Sequence, residues 1–82
     1  MNQINEFDRE RLPTKYLTRF QYQLLEDQLK IETVPEYRQR IEIMLLAEAG
    51  QTQTQICRTL SCSQLTARHW ILMAKSGQAH NW

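Results

Sequence analysis

The sequence predicts an all-α fold, and three observations carry that expectation. Apolar residues recur at three-to-four spacing in four separate stretches of the 82-residue chain, which is the period of a helix face and leaves no strand to expect. Gly and Pro number two each, and Pro13, Pro35, Gly50 and Gly77 all stand where a helix should begin or end. Thr33 with Glu36, Thr52 with Gln55, and Ser63 are residues of the type that open helices by accepting orphaned backbone N–H groups. A chain this short makes one small domain that buries only about 60% of its unfolded surface, so each large apolar side chain should have a place in a thin core.

Taken in order, residues 1–12 are polar and mixed in charge, and read as a flexible arm with Phe7 as a single anchor. A first, amphipathic helix is expected over 13–30, with Leu17, Phe20, Leu24 and Ile31 as its apolar stripe and Tyr16 alongside, and with Lys15, Arg19, Gln23, Glu26 and Lys30 opposite. A second is expected over 35–49. It places Tyr37, Ile41, Met44, Leu45 and Ala49 inside, and Arg38, Gln39, Glu42 and Glu48 outside, before Gly50 stops it. A third, over 53–60, carries Ile56 and Leu60 inward. A fourth, over 64–75, buries Ala67, Trp70, Ile71 and Ala74 and closes at Gly77. Residues 78–82 read as a tail, and the bare Trp82 leads to the expectation that the parent chain continues beyond it.

The last two helices are joined only by "SCS", too short a connection for them to lie flat against each other. A corner of this kind needs a small residue where the helices approach and apolar residues pointing into the shared angle. Cys57 supplies the small residue, while Ile56, Leu60, Cys62, Ala67 and Trp70 supply the apolar ones. Ser61 stands where Gly is commonest, and can take the left-handed conformation at moderate cost. The domain is therefore expected to span 13–77, with the last three helices forming a trihelical helix-turn-helix cluster around Ile41, Leu45, Ile56, Leu60, Ala67, Trp70 and Ile71, the corner itself over 52–76 and the first helix added in front.

Burying that set leaves Ser63, Gln64, Leu65, Thr66, Arg68, His69 and Leu72 on the outside of the last helix. Gln can pair bidentately with adenine N6/N7 and Arg with guanine O6/N7, and Thr offers a hydroxyl and a methyl that can touch a thymine methyl. Gln64 and Arg68 are thus the main candidates for base contacts, with Thr66 and His69 secondary. Arg58 and Lys75 are candidates for backbone phosphates.

The stretch "QTQTQICRTLSCSQLTARHWI" resembles the helix-turn-helix of bacterial regulators and of insertion-sequence transposases. "RLPTKYLTRFQ" and "VPEYRQRIEIMLLAEAG" extend the likeness to uncharacterised cyanobacterial helix-turn-helix proteins related to transposase DNA-binding regions, over nearly the whole chain. The resemblance implies DNA binding, with Gln64, Thr66, Arg68 and His69 at base-contact positions and Ser63 and Thr52 at phosphate-contact or capping positions. In such relatives a basic, winged-helix-like second half follows the equivalent of "SGQAHNW".

Charge agrees with a polyanionic partner without demanding one. Up to Val34 there are five basic and six acidic residues, whereas beyond Glu48 there are Arg58, Arg68 and Lys75 and no acid. No apolar run approaches a membrane span or a signal peptide, and the two cysteines fit a reducing compartment, so the chain is expected to be cytoplasmic. Cys57, Cys62, His69 and His80 match no zinc-finger spacing. With no nucleophile–base pair, Gly-rich phosphate loop or acidic triad, neither an enzyme, a cofactor nor a small-molecule substrate is expected. Three readings follow: a DNA-binding transcriptional regulator, the targeting domain of a transposase-derived protein, or a helix-turn-helix that serves as a protein-interaction module. The stripe of Leu17, Phe20 and Leu24 must pack somewhere, either in the domain's own core or against a second copy in a homodimer.

Overall fold

The structure, a computed structural model, describes residues 15–82. Four helices make up the described residues, with no strand among them: α1 (Arg19–Ile31), α2 (Pro35–Glu48), α3 (Gln53–Leu60) and α4 (Gln64–Lys75). The arm over 1–12, Phe7 and Pro13 lie outside the described residues.

Helix α1 begins later than expected because Thr18 forms a complete capping box. Its hydroxyl accepts the Gln21 N–H at 3.0 Å, and the Gln21 side-chain oxygen accepts the Thr18 N–H at 2.9 Å. Leu17 therefore precedes the helix, and a stripe counted from it takes the wrong phase. Leu25 is fully buried with Tyr22 and Leu29 packed alongside, whereas Phe20, Leu24 and Ile31 are 72%, 40% and 79% exposed.

The expected Thr33 cap on α2 also gives way. Pro35 holds the preceding Val34 in extended backbone, so Val34 becomes the N-cap and offers no side-chain oxygen. The Glu32 carboxylate accepts the Val34 N–H instead, at 3.2 Å. Arg38, expected outside, ties the two helices together by donating from Nη1 to the carbonyls of Leu29 and Glu32 at 2.7 and 2.9 Å. At the other end, Gly50 takes φ +97° while its N–H meets the Ala47 carbonyl and the Gln51 N–H meets that of Leu46, a Schellman stop.

α2 is packed on two sides, so it has no single apolar stripe. Ile41 and Met44 join Leu17, Leu25, Ala74 and Ala79 in one buried cluster, while Ile43 and Ala47 join Ile56, Ala67 and Ile71 in a second. Trp70 packs against both clusters. Of the core expected from sequence, Ile41, Ile56, Ala67 and Ile71 are buried, whereas Leu45, Leu60 and Trp70 are half-buried. Ala49, expected inside, is exposed.

Glu48 is the largest departure. Expected outside, it is 5% exposed and accepts the backbone N–H groups of Lys15, Tyr16 and Leu17, the last two at 2.9 and 3.0 Å. Three consecutive N–H groups converging on one carboxylate form an anion nest that pins the entry segment of the domain to the end of α2.

Residues 78–82, expected to be a tail, pack against the domain. Ala79 is fully buried and Trp82 donates its indole N–H to the Ala79 carbonyl. The Arg40 guanidinium lies 5.0, 4.9 and 5.4 Å from the ring centres of Tyr37, Trp70 and Trp82, held in an aromatic box.

Candidate nucleic-acid interface

The corner between α3 and α4 depends on Ser61. It sits at φ 55°, ψ 43°, the left-handed region, which lets the Cys62 N–H turn back to the Cys57 carbonyl at 3.2 Å. Fully buried Ile56 and Ala67 then meet inside the angle. Cys57 and Cys62 are both half-buried and unbridged, and burial, with Cys57 next to it, pushes the Cys62 thiol above its ordinary pKa. A thiol held protonated in this way is a packing group and a poor nucleophile.

Both corner helices start from side-chain caps. Thr52 and Gln55 form the expected capping box on α3. The Ser63 hydroxyl accepts the Thr66 N–H at 3.0 Å and donates to the Thr66 hydroxyl at 2.9 Å. The Ser63 hydroxyl proton is thereby directed to Thr66, whose own hydroxyl proton and methyl group both remain available for a contact.

On α4, Gln64, Arg68, Leu72 and Lys75 recur at steps of four, four and three, so they share one exposed face, with Leu65 77% exposed beside it. Arg68 has no hydrogen-bond or ion-pair partner among the described residues. His69 lies at the edge of this face, its ring set edge-on to Trp70 at 4.7 Å. No acidic residue lies between Ala49 and Trp82, so nothing on α3 or α4 offsets Arg58, Arg68 and Lys75.

Lys75 and Thr52 border a common cavity of about 290 Å³ with Lys15, Tyr16, Gln51 and Gln53. The Lys15 and Lys75 ammonium groups lie 5.6 and 5.4 Å from the Tyr16 ring centre. Two cations beside the first turn of α3 suit a phosphate, since the N–H groups of a helix's first turn point outward with partial positive charge. Arg58 stands apart, at a separate hollow lined by Gln51, Gln55 and Thr59.

A family model described as a homeodomain-like domain matches residues 35–82, more than half of the chain and the whole of α2, α3 and α4. The chain belongs to the homeodomain-like family of helix-turn-helix domains. No curated protein and no solved structure matches it. The homeodomain-like match, 35–82, includes the segment over 78–82 that packs on Arg40 and Trp70. Membership makes this a DNA-binding fold. Among the described residues no helix is long and apolar enough to cross a membrane.

Two residues beside the candidate interface, Lys15 ahead of the homeodomain-like domain and Gln53 within it, are not evident from the sequence pattern. Lys15, expected on the solvent face of the first helix, joins Lys75 at the cavity because Glu48 fixes its backbone. Gln53 donates from Nε2 to the Gln64 side-chain oxygen at 2.8 Å and to the Gln64 carbonyl at 3.3 Å. That contact left a trace in the sequence: Gln53 and Gln64 each directly follow a capping residue, Thr52 and Ser63, so each is the first residue of one arm of the corner.

Proposed function

We propose that this domain binds double-stranded DNA sequence-selectively, laying α4 in the major groove, and that it does so as a transcriptional regulator. The observation that carries the reading is the exposed, acid-free face of Gln64, Arg68 and Lys75 on a helix held rigidly by the corner. Gln64 and Arg68 read base edges, with the Thr66 methyl and His69 at the margins. Lys75 and Thr52 take a phosphate at the cavity they share with Lys15, Arg58 takes a second, and Ser63 lies where the helix start favours an anion. The same surface would serve the targeting domain of a transposase-derived protein. Promoter repression by the chain alone supports the regulator, and its absence, with duplex binding intact, supports the targeting domain.

The test is a duplex titration at several salt concentrations, on a site selected from a randomised pool. Gln64→Ala or Arg68→Ala is expected to weaken the preferred site by about 1–3 kcal/mol and relax preference at one base pair. Lys75→Ala is expected to weaken all duplexes alike and to lower the salt slope by about one unit. A protein-interaction module, the use to which exposed Leu65 and Leu72 are suited, would show no salt-dependent duplex binding at all.

The exposed side of α1 supports a further element of this reading, a homodimer. Leu17 belongs to the core, so the pairing face consists of Phe20, Leu24 and Ile31. A two-fold contact there offers two α4 helices to one duplex and doubles the phosphate contacts that each copy supplies. Sedimentation equilibrium should show a concentration-dependent dimer that Phe20→Glu abolishes. A monomer at every concentration removes this element and leaves the DNA reading standing.

A further inference from the structure

We propose that Gln53 is a specificity-determining positioning residue: by fixing which way the Gln64 amide points, it makes adenine the preferred base opposite α4. The inference rests on the reading of α4 as the base-contacting helix.

A glutamine amide can be turned end for end, exchanging its donor for its acceptor. On an exposed helix start, an unrestrained Gln64 would sample both orientations and discriminate bases poorly. Here one atom in the chain of contacts cannot be turned. The Gln64 carbonyl oxygen is main chain and only accepts, and it lies 3.3 Å from the end of the Gln53 side chain. A side-chain oxygen there would set two acceptors against each other, so the Gln53 NH2 group must occupy that place. The same NH2 group lies 2.8 Å from the Gln64 amide, which must then present its oxygen to Gln53. The remaining lone pair of that oxygen and both hydrogens of Gln64 Nε2 are left for a ligand.

An acceptor beside a donor in fixed order matches the adenine edge, where N6–H2 donates and N7 accepts. Guanine shows two acceptors, N7 and O6, and would set O6 against the Gln64 oxygen. A backbone carbonyl on α4 thus sets the base preference of a side chain on α4, through a residue of α3. The bonds also span the corner, so the relay exists only while the two helices keep their angle.

The experiment measures duplex affinities for the wild-type chain and for Gln53→Ala, Gln53→Leu, Gln64→Ala and the Gln53→Ala/Gln64→Ala pair. Four duplexes carry each base in turn at the position where Gln64→Ala relaxes preference. Gln53→Ala and Gln53→Leu are both expected to reduce the preference for adenine at that position by about 3- to 10-fold, with other positions unaffected. In the Gln64→Ala background, Gln53→Ala is expected to change nothing there. Melting curves superimposable on wild type show that the variants fold. If Gln53→Ala instead weakens all four duplexes equally, with or without Gln64, then Gln53 is a phosphate or structural contact and the inference falls alone. If no position responds to Gln64→Ala, the base-reading role of α4 falls, and this inference falls with it.

Discussion

Glu48→Ala is expected to lower the unfolding free energy by about 2–4 kcal/mol and the melting temperature by about 10–25 °C. The carboxylate receives three backbone N–H groups, from Lys15, Tyr16 and Leu17. Lys15 is exposed, so its N–H can turn to water when the carboxylate is removed. Leu17 is 1% exposed and its N–H would stay dry and unpaired, at about 1–3 kcal/mol for that group alone. Intrinsic helix stability cannot account for an acid at this position, since a negative charge at the end of a helix opposes the partial negative charge already there. Glu48→Gln keeps one carbonyl oxygen as acceptor and should recover part of the loss, while Glu48→Asp, one methylene shorter, should recover less. Thermal melts followed by circular dichroism check this. A Glu48→Ala protein that melts within a degree or two of wild type would show that the entry segment is held by Leu17 packing alone.

Removing residues 78–82 is expected to cost about 2–4 kcal/mol, and Trp82→Ala most of that amount. Trp82 is 37% exposed, so about two thirds of a large aromatic surface is covered, and it closes the box around Arg40. Its ring lies edge-on to Trp70 at 5.4 Å and to Tyr37 at 5.9 Å. Arg40→Lys keeps the charge and loses the planar group that lies against the rings, so it should cost about 0.5–1 kcal/mol. Equal melting temperatures for the full and shortened chains would show that these five residues rest on the surface without holding it.

The parts of the fold legible in the sequence are those set by local chemistry. Helices α3 and α4 run over the residues expected, because Thr52 and Ser63 start them, Ser61 and Gly77 accept positive φ past their ends, and all these signals lie within a few residues of the boundaries they set. The exposed face of α4 was legible for the same reason, since burying Ala67, Ile71 and Ala74 leaves no choice about Gln64 and Arg68. What the sequence hid depends on distant partners. Glu48 looks like a solvent residue until Tyr16 and Leu17, 32 and 31 positions away, arrive with their N–H groups. The two-sided burial of α2 blurs its periodicity, so that no single apolar stripe includes Ile43 and Ala47. Trp82 looked orphaned because its neighbours Tyr37, Arg40 and Trp70 are far away in the chain. On α1 an apolar period counted from Leu17 runs out of phase with the buried face, because Leu17 precedes the helix.

Trp70 belongs to both buried clusters, one formed mainly with α1 and the final segment, the other within the corner. Neither cluster can open without stripping one side of the same indole, so the sub-global openings that let many domains come apart in stages are expected to be suppressed. The slowest-exchanging amides of α2 and of α4 should therefore share one opening free energy, equal to that of global unfolding. For the proposed reading of DNA by α4, the expected consequence is that α4 does not fray from its support while the rest stays folded. Mutations around Arg40 or Glu48, remote from the corner, would then change the fraction of molecules able to bind and leave the contacts of each bound molecule as they are.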